Sequence, residues 1–205
     1  MHIPKSFQFS EEEDKISFIK QYSFAPLITV KNGIPIATQL PFVVTQRKDK
    51  IFLSSHFSIA NEQIHHLTDN THLVLFSEPH AYISPKHYDK IESVPTWDYI
   101  AVHAYGKAVI INGLNEKIRL LEQMIQYYEP EYREQWNGLS DEFKTSMIKG
   151  IVAFEIEVTE LQGQMKLSQN KNINERQRIT ETLDKSIHGV EKELSYYMKK
   201  LNTTY

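Results

Sequence analysis

Residues 24–46 read FAPLITVKNGIPIATQLPFVVTQ, and this stretch carries the clearest fold signal in the chain. Asn32-Gly33 separates two runs rich in β-branched residues, and Asn-Gly between such runs is the strongest short signal for a two-residue β-hairpin turn. We therefore predict two antiparallel strands, the second running over residues 34–46. Pro35 and Pro41 lack a backbone N–H group, so they indicate a sheet edge or a bulge in that strand.

Hydrophobic periodicity outside the hairpin predicts further strands and helices. The predicted strands are residues 50–55, residues 72–77 continued or paired by 81–83, residues 99–111 with a bend at Gly106, and residues 151–161. The predicted helices are residues 10–22, 59–67, 116–129, 141–149 and 175–201, begun near Ser10, Ser58, Asn115 and Ser140 where a cap is visible. The run at 72–77 is continuously apolar, which predicts burial on both faces. Strands and helices do not alternate, so the pattern favours the α+β class, an antiparallel sheet or barrel with peripheral helices.

Composition excludes several classes of site and partner. The 205 residues contain no cysteine, which excludes disulfides, thiolate zinc sites and cysteine nucleophiles. Lys+Arg 23 against Asp+Glu 26 gives a net charge of −3, so the chain as a whole lacks the basic excess of a nucleic-acid-binding domain. The first residues lack the apolar stretch of a signal peptide, and no apolar run is long enough to span a bilayer. We expect a cytoplasmic protein without a membrane partner.

Histidines and hydroxyl groups mark the first candidate region. Seven of the nine histidines lie between His56 and His103, but their spacing does not match a zinc motif. They are either surface and strand histidines, or one or two of them donate hydrogen bonds to an anionic ligand. Residues 54–61, SSHFSIAN, lie where a strand is predicted to meet a helix, and the N–H groups of a helix start favour phosphate. Simple N-capping by Ser58 explains the same residues.

Two later regions combine groups that suit a flat anionic ligand. Residues 78–85 and 94–99 are proline-stiffened turns that carry Tyr82 and Trp97. Rigid aromatic side chains on short loops suit a flat ring or a subunit interface, or they fill a core beneath the loop. Residues 166–171, KLSQNK, offer cationic, hydroxyl and amide groups to carbonyl or phosphate oxygens, or they form an ordinary polar loop.

Six short sequence strings follow one another along nearly the whole chain. They are HIP at 2–4, PIATQLP at 35–41, the segment from Ser55-His56 to Asn61, PHAYISP at 79–85, VPTWDY at 94–99 with His103 and Tyr105-Gly106, and KLSQN at 166–170. This series resembles the PaiB family of FMN-binding negative transcriptional regulators. The strings VPTWDY and KLSQN are the most specific part of the match to that family. The family pattern differs at two positions, with glycine where Ser55 stands and proline where Glu62 stands.

The resemblance implies an antiparallel split β-barrel that binds FMN, similar to pyridoxamine-phosphate oxidases and flavin reductases. The barrel would comprise residues 1–171, with a C-terminal helical extension, residues 172–205, packed on it. Proteins of this fold are usually homodimers that hold FMN at the subunit interface. The implied contacts are Thr38 and Gln39 along the ring or ribityl chain, His56, Ser58, Ala60 and Asn61 at the phosphate, His80 and Tyr82 beside the ring, and, from the partner chain, Trp97 over the ring with Lys166, Gln169 and Asn170 at the phosphate or pyrimidine edge.

Three roles remain open for such a flavoprotein. The first is a transcriptional repressor, although residues 164–205 carry only eight Lys and Arg against five Asp and Glu, a weak charge for DNA. Repression through a partner protein escapes that objection. The second role is an FMN-dependent oxidoreductase, in which the cofactor carries the chemistry and no catalytic residue need be visible. The third is a flavin-binding or haem-binding module.

Overall fold

The computed structural model describes residues 1–68 and 70–203. The strands are β1 Phe24–Lys31, β2 Ile34–Pro41, β3 Val43–Arg47, β4 Lys50–Ser58, β5 Thr71–Ile83, β6 Thr96–Ile111 and β7 Ile151–Lys166. The α-helices are α1 Glu12–Gln21, α2 Leu114–Tyr128, α3 Tyr132–Gly138, α4 Asp141–Lys149, α5 Ile173–Asp184 and α6 Gly189–Thr203, and 3-10 helices lie at Lys5–Phe7, Glu62–His66 and Pro85–His87. Over the described residues the strands form one antiparallel sheet in the order β2-β1-β5-β6-β7-β4-β3. The predicted α+β class is confirmed.

The predicted hairpin is also confirmed. β1 and β2 pair antiparallel along their whole length, and the turn residues Asn32 and Gly33 have φ values of 50° and 80°. Positive φ at both positions is the type I′ geometry that Asn-Gly favours. The return strand is interrupted at Phe42, whose side chain is fully buried and whose N–H group donates to the Ser23 carbonyl at 2.8 Å. This interruption separates β2 from β3.

The described chain divides into two compact units. Unit 1 comprises residues 1–15, 77–102 and 162–205, and unit 2 comprises residues 16–76 and 103–161. Strands β5, β6 and β7 contribute residues to both units.

The core of unit 2 contains a cluster of buried aromatic rings. The Phe57 and Phe154 rings stack with centroids 5.1 Å apart, and Phe42 meets Phe154 edge-on at 6.4 Å. Ring pairs of this kind add about 0.5–1.5 kcal/mol beyond the burial of their area. Because Phe57 lies in β4, this packing also fixes the strand that carries His56.

Gly106 serves close strand packing, and the bend predicted at this residue stays a prediction. β6 is continuous through this residue. A Cβ atom at Gly106 would lie 2.2 Å from the Glu157 carbonyl oxygen and 2.5 Å from Ile156 Cγ2. Only glycine therefore allows β6 to approach β7 at this point.

In unit 1, a capping box joins the start of α5 to the loop that precedes β6. Asn172 Oδ1 accepts the Glu175 N–H at 2.9 Å, and Glu175 Oε2 accepts the Asn172 N–H at 3.1 Å. The other Glu175 oxygen accepts the Asp89 N–H at 2.9 Å. Sequence analysis began the terminal helix at Glu175, whereas the helix begins at Ile173 because Asn172 is its cap.

The structure corrects several other boundaries. The helix predicted over 59–67 is the short 3-10 helix Glu62–His66, and its cap is Asn61 rather than Ser58. The cap of α2 is Gly113, so Asn115 lies inside the first turn. The single helix predicted over 175–201 is divided into α5 and α6, and α3 was not predicted. By contrast, Ser140 caps α4 as predicted.

Strand β5 is less buried than its apolar run predicted. Its residues alternate between buried and more exposed positions, and Leu73 and Leu75 are half-buried. The expectation of burial on both faces is therefore wrong. The strand does continue through residues 81–83, as predicted. Among the described residues, no helix combines the length and the apolar character needed to cross a bilayer.

Candidate functional site

Two predicted FMN-binding residues of unit 2, Thr38 and Asn61, lie together with Gln63. Asn61 Nδ2 donates to Thr38 Oγ1 at 3.0 Å, and the Thr38 hydroxyl donates to Gln63 Oε1 at 2.8 Å. The Gln63 N–H group closes the ring by donating to Asn61 Oδ1 at 2.9 Å. Gln63 is buried, whereas Thr38 and Asn61 are half-buried. Sequence analysis missed Gln63, because its place beside β2 depends on a contact 25 residues away.

His56 presents an unsatisfied polar atom in β4. Its Nδ1 is buried and has no hydrogen-bond partner. Burial also lowers the pKa of the imidazole, so the ring is neutral near pH 7. A buried polar atom without a partner costs about 1–3 kcal/mol. A ligand atom that paired with Nδ1 would recover part of that cost.

The backbone N–H groups that we expected to bind the phosphate instead form hydrogen bonds within the turn after β4. The Asn61 N–H donates to the Ser58 carbonyl at 2.9 Å, and the Ala60 N–H contacts Ser58 Oγ at 3.4 Å. The helix start expected here is replaced by a 3-10 helix of 5 residues, which supplies little dipole for an anion. Ser58 and Ala60 are exposed, and their contact with a phosphate stays a prediction.

Of the two neighbouring polar residues, Ser55 is bonded within the chain and Gln39 is exposed. Ser55, which stands where the family has glycine, is buried and donates its hydroxyl to the Pro41 carbonyl at 2.7 Å. It therefore serves the packing of β4 in this chain. Gln39 is exposed in β2, where it pairs with Pro26 of β1, and its contact with flavin stays a prediction.

In unit 1, His80, Tyr82 and Trp97 form an aromatic cluster. The Trp97 ring centroid lies 5.7 Å from that of His80 and 6.1 Å from that of Tyr82. Trp97 is 54% exposed and Tyr82 is 50% exposed. Sequence analysis assigned Trp97 to one chain and the other two to its partner at each site, whereas within this chain the Trp97 ring lies against both of the others. They form one exposed platform that a flat ring or another subunit can cover.

Lys166 supports the strand that carries Trp97. Its ammonium group donates to the Trp97 carbonyl at 2.6 Å and to the hydroxyl of Thr96. Its nitrogen also lies 4.0 Å from Asp98 Oδ1. The side chain is 21% exposed, so most of it packs inside the unit. The geometry therefore gives Lys166 a role in holding the backbone at the start of β6.

Gln169 and Asn170, also predicted as ligand contacts, differ in how they are bonded. Gln169 Oε1 accepts the Leu167 N–H at 2.7 Å, and its Nε2 donates to the Met165 carbonyl at 2.6 Å. Its amide thus shapes the loop after β7. Asn170 is exposed, and its contact with a ligand stays a prediction.

Asp98 is a buried acid that sequence analysis did not single out. Its carboxylate is fully buried, Oδ2 accepts the Ser168 hydroxyl at 2.5 Å, and Oδ1 has no hydrogen-bond partner. Burial raises its pKa to about 6, and the Ser168 hydroxyl and the Lys166 ammonium oppose that rise. Ser168 has a φ of 55°, so a strained backbone brings its hydroxyl to Asp98. The one available signal was the acid between the aromatic residues of VPTWDY.

The histidines do not assemble into a metal centre in the described part of the chain. There, no group of three or more His, Asp and Glu side chains lies close enough to hold a metal ion. Two of the histidines have structural partners: His72 bonds to Thr29 and to the Leu67 carbonyl, and the carbonyl of His87 accepts from Arg178.

Comparison with known proteins identifies similar sequences. The profile of a family described as "Putative FMN-binding domain" matches residues 1–160. The protein named "Protease synthase and sporulation protein PAI 2" from Bacillus subtilis is 36% identical over 206 residues, covering 97% of this chain and 97% of that protein. That alignment extends past the profile match into the region of Lys166.

Comparison with solved structures identifies the same fold in flavin-related proteins. The flavocytochrome Anf3 from Azotobacter vinelandii has a TM-score of 0.62 at 15% identity, covering 80% of this chain and 72% of that one. The FAD and heme binding protein from Mycobacterium smegmatis has a TM-score of 0.61 at 12% identity, covering 83% and 78%. At these identities the likeness establishes the fold alone.

Proposed function

The chain belongs to the PaiB family of FMN-binding split-barrel proteins, and on that premise we propose that it is an FMN-binding negative transcriptional regulator. The observation that carries FMN binding is the exposed aromatic cluster of His80, Tyr82 and Trp97, which lies on the family strings PHAYISP and VPTWDY. Neighbouring exposed aromatic side chains of this kind commonly mark the place where a ligand or another subunit binds.

The isoalloxazine ring is the part of FMN that this cluster suits. The ring is flat and largely apolar, so it would stack on Trp97 and pack against Tyr82. Lys166 would act indirectly, since its bond to the Trp97 carbonyl holds the strand beneath the indole. When bound, FMN supplies the capacity to accept and return electrons.

His56 is the residue that best fits a polar group of the cofactor in unit 2. Its buried Nδ1 lacks a partner, and the exposed Ser58 hydroxyl lies two residues along the same strand. A neutral imidazole and a hydroxyl can both donate to a phosphate oxygen. Gln39, Ala60 and Asn170 complete the proposed set at exposed positions.

We further propose a homodimer in which the aromatic cluster of one copy covers the flavin held by Thr38 and His56 of the other copy. A mixed-dimer experiment tests this arrangement. Trp97→Ala and His56→Ala homodimers would each bind FMN weakly. In the mixed dimer, one site carries both substitutions and the other carries neither, so tight binding returns at one flavin per dimer. If mixed dimers bind as weakly as their parents, the site does not draw on two copies.

Titration of the purified protein with FMN tests the binding proposal directly. We expect quenching of flavin fluorescence by the stacked indole in the wild-type protein. Trp97→Ala should abolish most of the quenching, whereas Tyr196→Ala removes a similarly exposed aromatic side chain on α6 and should change nothing. A protein that neither quenches nor retains FMN would contradict the proposal.

Regulation and redox catalysis predict different results with the same holoprotein. For a regulator, we expect a salt-dependent gel shift on the promoter of its own gene, and the FMN-free protein should shift that DNA differently. The second candidate is an FMN-dependent oxidoreductase. It is favoured by the half-exposed Trp97 platform, where a second flat ring such as nicotinamide can reach a bound flavin. Bleaching of the flavin by NADH or NADPH under nitrogen, without any DNA shift, would favour that candidate.

A further inference from the structure

A chain of hydrogen bonds runs from Thr38 into the core of unit 2. Gln63 Nε2 donates to the Leu27 carbonyl at 2.9 Å and lies 2.8 Å from Thr29 Oγ1. Thr29 Oγ1 lies 3.0 Å from His72 Nδ1, and His72 Nε2 lies 2.6 Å from the Leu67 carbonyl. Thr29, Gln63 and His72 are all buried, so water does not compete for these bonds.

Backbone groups fix which end of each amide faces which way. A carbonyl oxygen only accepts, so the Gln63 atom beside Leu27 is the NH₂ group. Its oxygen must then be the atom facing Thr38. A backbone N–H only donates, so the Asn61 atom that accepts the Gln63 N–H is the oxygen. The Asn61 NH₂ group must then face Thr38.

The buried end of the chain agrees with this polarity. The Leu67 carbonyl requires a proton on His72 Nε2. Burial lowers the pKa of His72, so the ring is neutral near pH 7 and Nδ1 can only accept. Thr29 therefore donates its hydroxyl proton to Nδ1 and accepts from Gln63. Each hydrogen bond between Thr38 and the Leu67 carbonyl then joins one donor to one acceptor.

The outer end of the chain is consequently fixed as well. The Thr38 hydroxyl proton points inward to Gln63, so Thr38 Oγ1 offers only a lone pair to a ligand. Asn61 uses one N–H on Thr38 and retains the other. The two half-buried residues thus present an acceptor and a donor whose atoms are 3.0 Å apart.

We infer that Thr38 and Asn61 recognise the pyrimidine edge of the flavin, Thr38 accepting from the imide N3–H and Asn61 donating to a neighbouring carbonyl, with Gln63 as the positioning residue. This inference rests on the proposed FMN binding. It moves Asn61 from the phosphate, where sequence analysis expected it, to the ring. An adjacent donor and acceptor complement an imide edge, whereas a phosphate offers only acceptors.

Comparison of FMN with N3-methyl-FMN tests the assignment. The wild-type protein should bind the methylated analogue about tenfold more weakly, the usual cost of one buried hydrogen bond. Thr38→Val should weaken FMN binding by a similar factor and bring the ratio between the two ligands close to one. Thr38→Ser retains the hydroxyl and should keep the wild-type ratio. A ratio that persists in Thr38→Val overturns the assignment.

Gln63→Met tests the positioning role. It leaves Thr38 in place but frees its hydroxyl proton to point outward, so the ligand ratio should shrink. A merely structural role for Gln63 would weaken both ligands equally, and that outcome overturns the positioning claim. If the wild-type protein does not bind FMN, the proposed function fails and this assignment fails with it. Binding of FMN without a ligand ratio overturns this assignment alone.

The polarity of the chain is measurable without any ligand. Nitrogen-15 NMR of the histidine rings should find His72 as the Nε2–H tautomer in the apoprotein. The Nδ1–H tautomer would reverse the Thr29 bond and overturn the inference that Thr38 is only an acceptor.

Discussion

Asp98→Asn should stabilise the protein at neutral pH, which is the reverse of the usual cost of changing a buried polar residue. Asp98 is fully buried and its pKa is raised to about 6. Removal from water favours the neutral acid, and this cost outweighs the Ser168 hydroxyl bond and the Lys166 ammonium 4.0 Å away. Asparagine retains an oxygen for Ser168 and carries no charge.

The size of the effect follows from the two pKa values. The unfolded chain has an aspartate pKa of about 3.9, and the folded value of about 6 is roughly two units higher, which corresponds to about 3 kcal/mol. Because the folded state binds the proton more tightly, this contribution to stability is present below pH 4 and is lost as the pH rises to 6. Above pH 6 the wild-type protein is destabilised by the full amount of about 3 kcal/mol. For a chain of this size that free energy corresponds to a decrease in Tm of roughly 6–12 °C.

Denaturant unfolding of both proteins between pH 4 and pH 8 measures this. The stability advantage of Asp98→Asn over the wild type should grow between pH 4 and 6 and then stay constant. Asp89→Asn is a control of opposite sign in the same unit, because hydrogen bonds from Asn172 and Arg178 lower the pKa of Asp89 below its value of about 3.9 in the unfolded chain. The wild type acquires this contribution at pH values below about 4, so Asp89→Asn should be less stable than the wild type by a nearly constant amount between pH 5 and pH 8. An Asp98→Asn advantage that is independent of pH, or that falls with pH, would refute the reasoning and make Lys166 the dominant partner.

Three more substitutions test separate parts of the structure. Gly106→Ala should destabilise the protein by several kcal/mol in denaturant unfolding, because the added methyl group would meet the Glu157 carbonyl. The control Gly138→Ala places its methyl group in open space and should leave the stability unchanged. Equal effects of the two substitutions would exclude close packing at Gly106. Ser140→Ala should cost about 1 kcal/mol of stability through loss of the α4 cap, and no change would mean that the cap is idle. Lys166→Ala should weaken FMN and riboflavin binding equally, by about tenfold, since it acts through Trp97; a loss confined to FMN would instead place Lys166 at the phosphate.

Local signals in the sequence predicted the elements that local physics determines. The Asn32-Gly33 turn and the Ser140 cap each depend on residues within a few positions, and both were predicted correctly. The helix assigned to 59–67 failed because its apparent cap, Ser58, is instead the last residue of a strand paired to β7. No periodicity within nine residues contains that pairing.

Predicting the candidate site required contacts between distant residues. Thr38, Asn61 and Trp97 were named as cofactor contacts through a resemblance that spans the chain, because spacing alone did not single out Thr38 and left Asn61 and Trp97 with structural explanations. Gln63 and Asp98 were missed because their roles depend on partners 25 and 70 residues away. Burial also determines the pKa of Asp98, and burial depends on packing that no single segment encodes.

Hydrogen bonding within the chain separates the polar residues of the family strings into two groups, those whose donors are already used and those with a donor or acceptor still available. Three of these side chains donate hydrogen bonds to backbone carbonyls of the same chain: Ser55, Lys166 and Gln169. A ligand could use these donors only by breaking those bonds. His56 retains a buried atom without a partner, and Asn61 retains one N–H. A residue can contribute to affinity at little cost only if its donor or acceptor is still available. In this chain KLSQN therefore supports the start of β6 and its own loop, through Lys166 at Trp97 and Ser168 at Asp98, and we propose that recognition of FMN is carried out by residues that the fold leaves incompletely bonded.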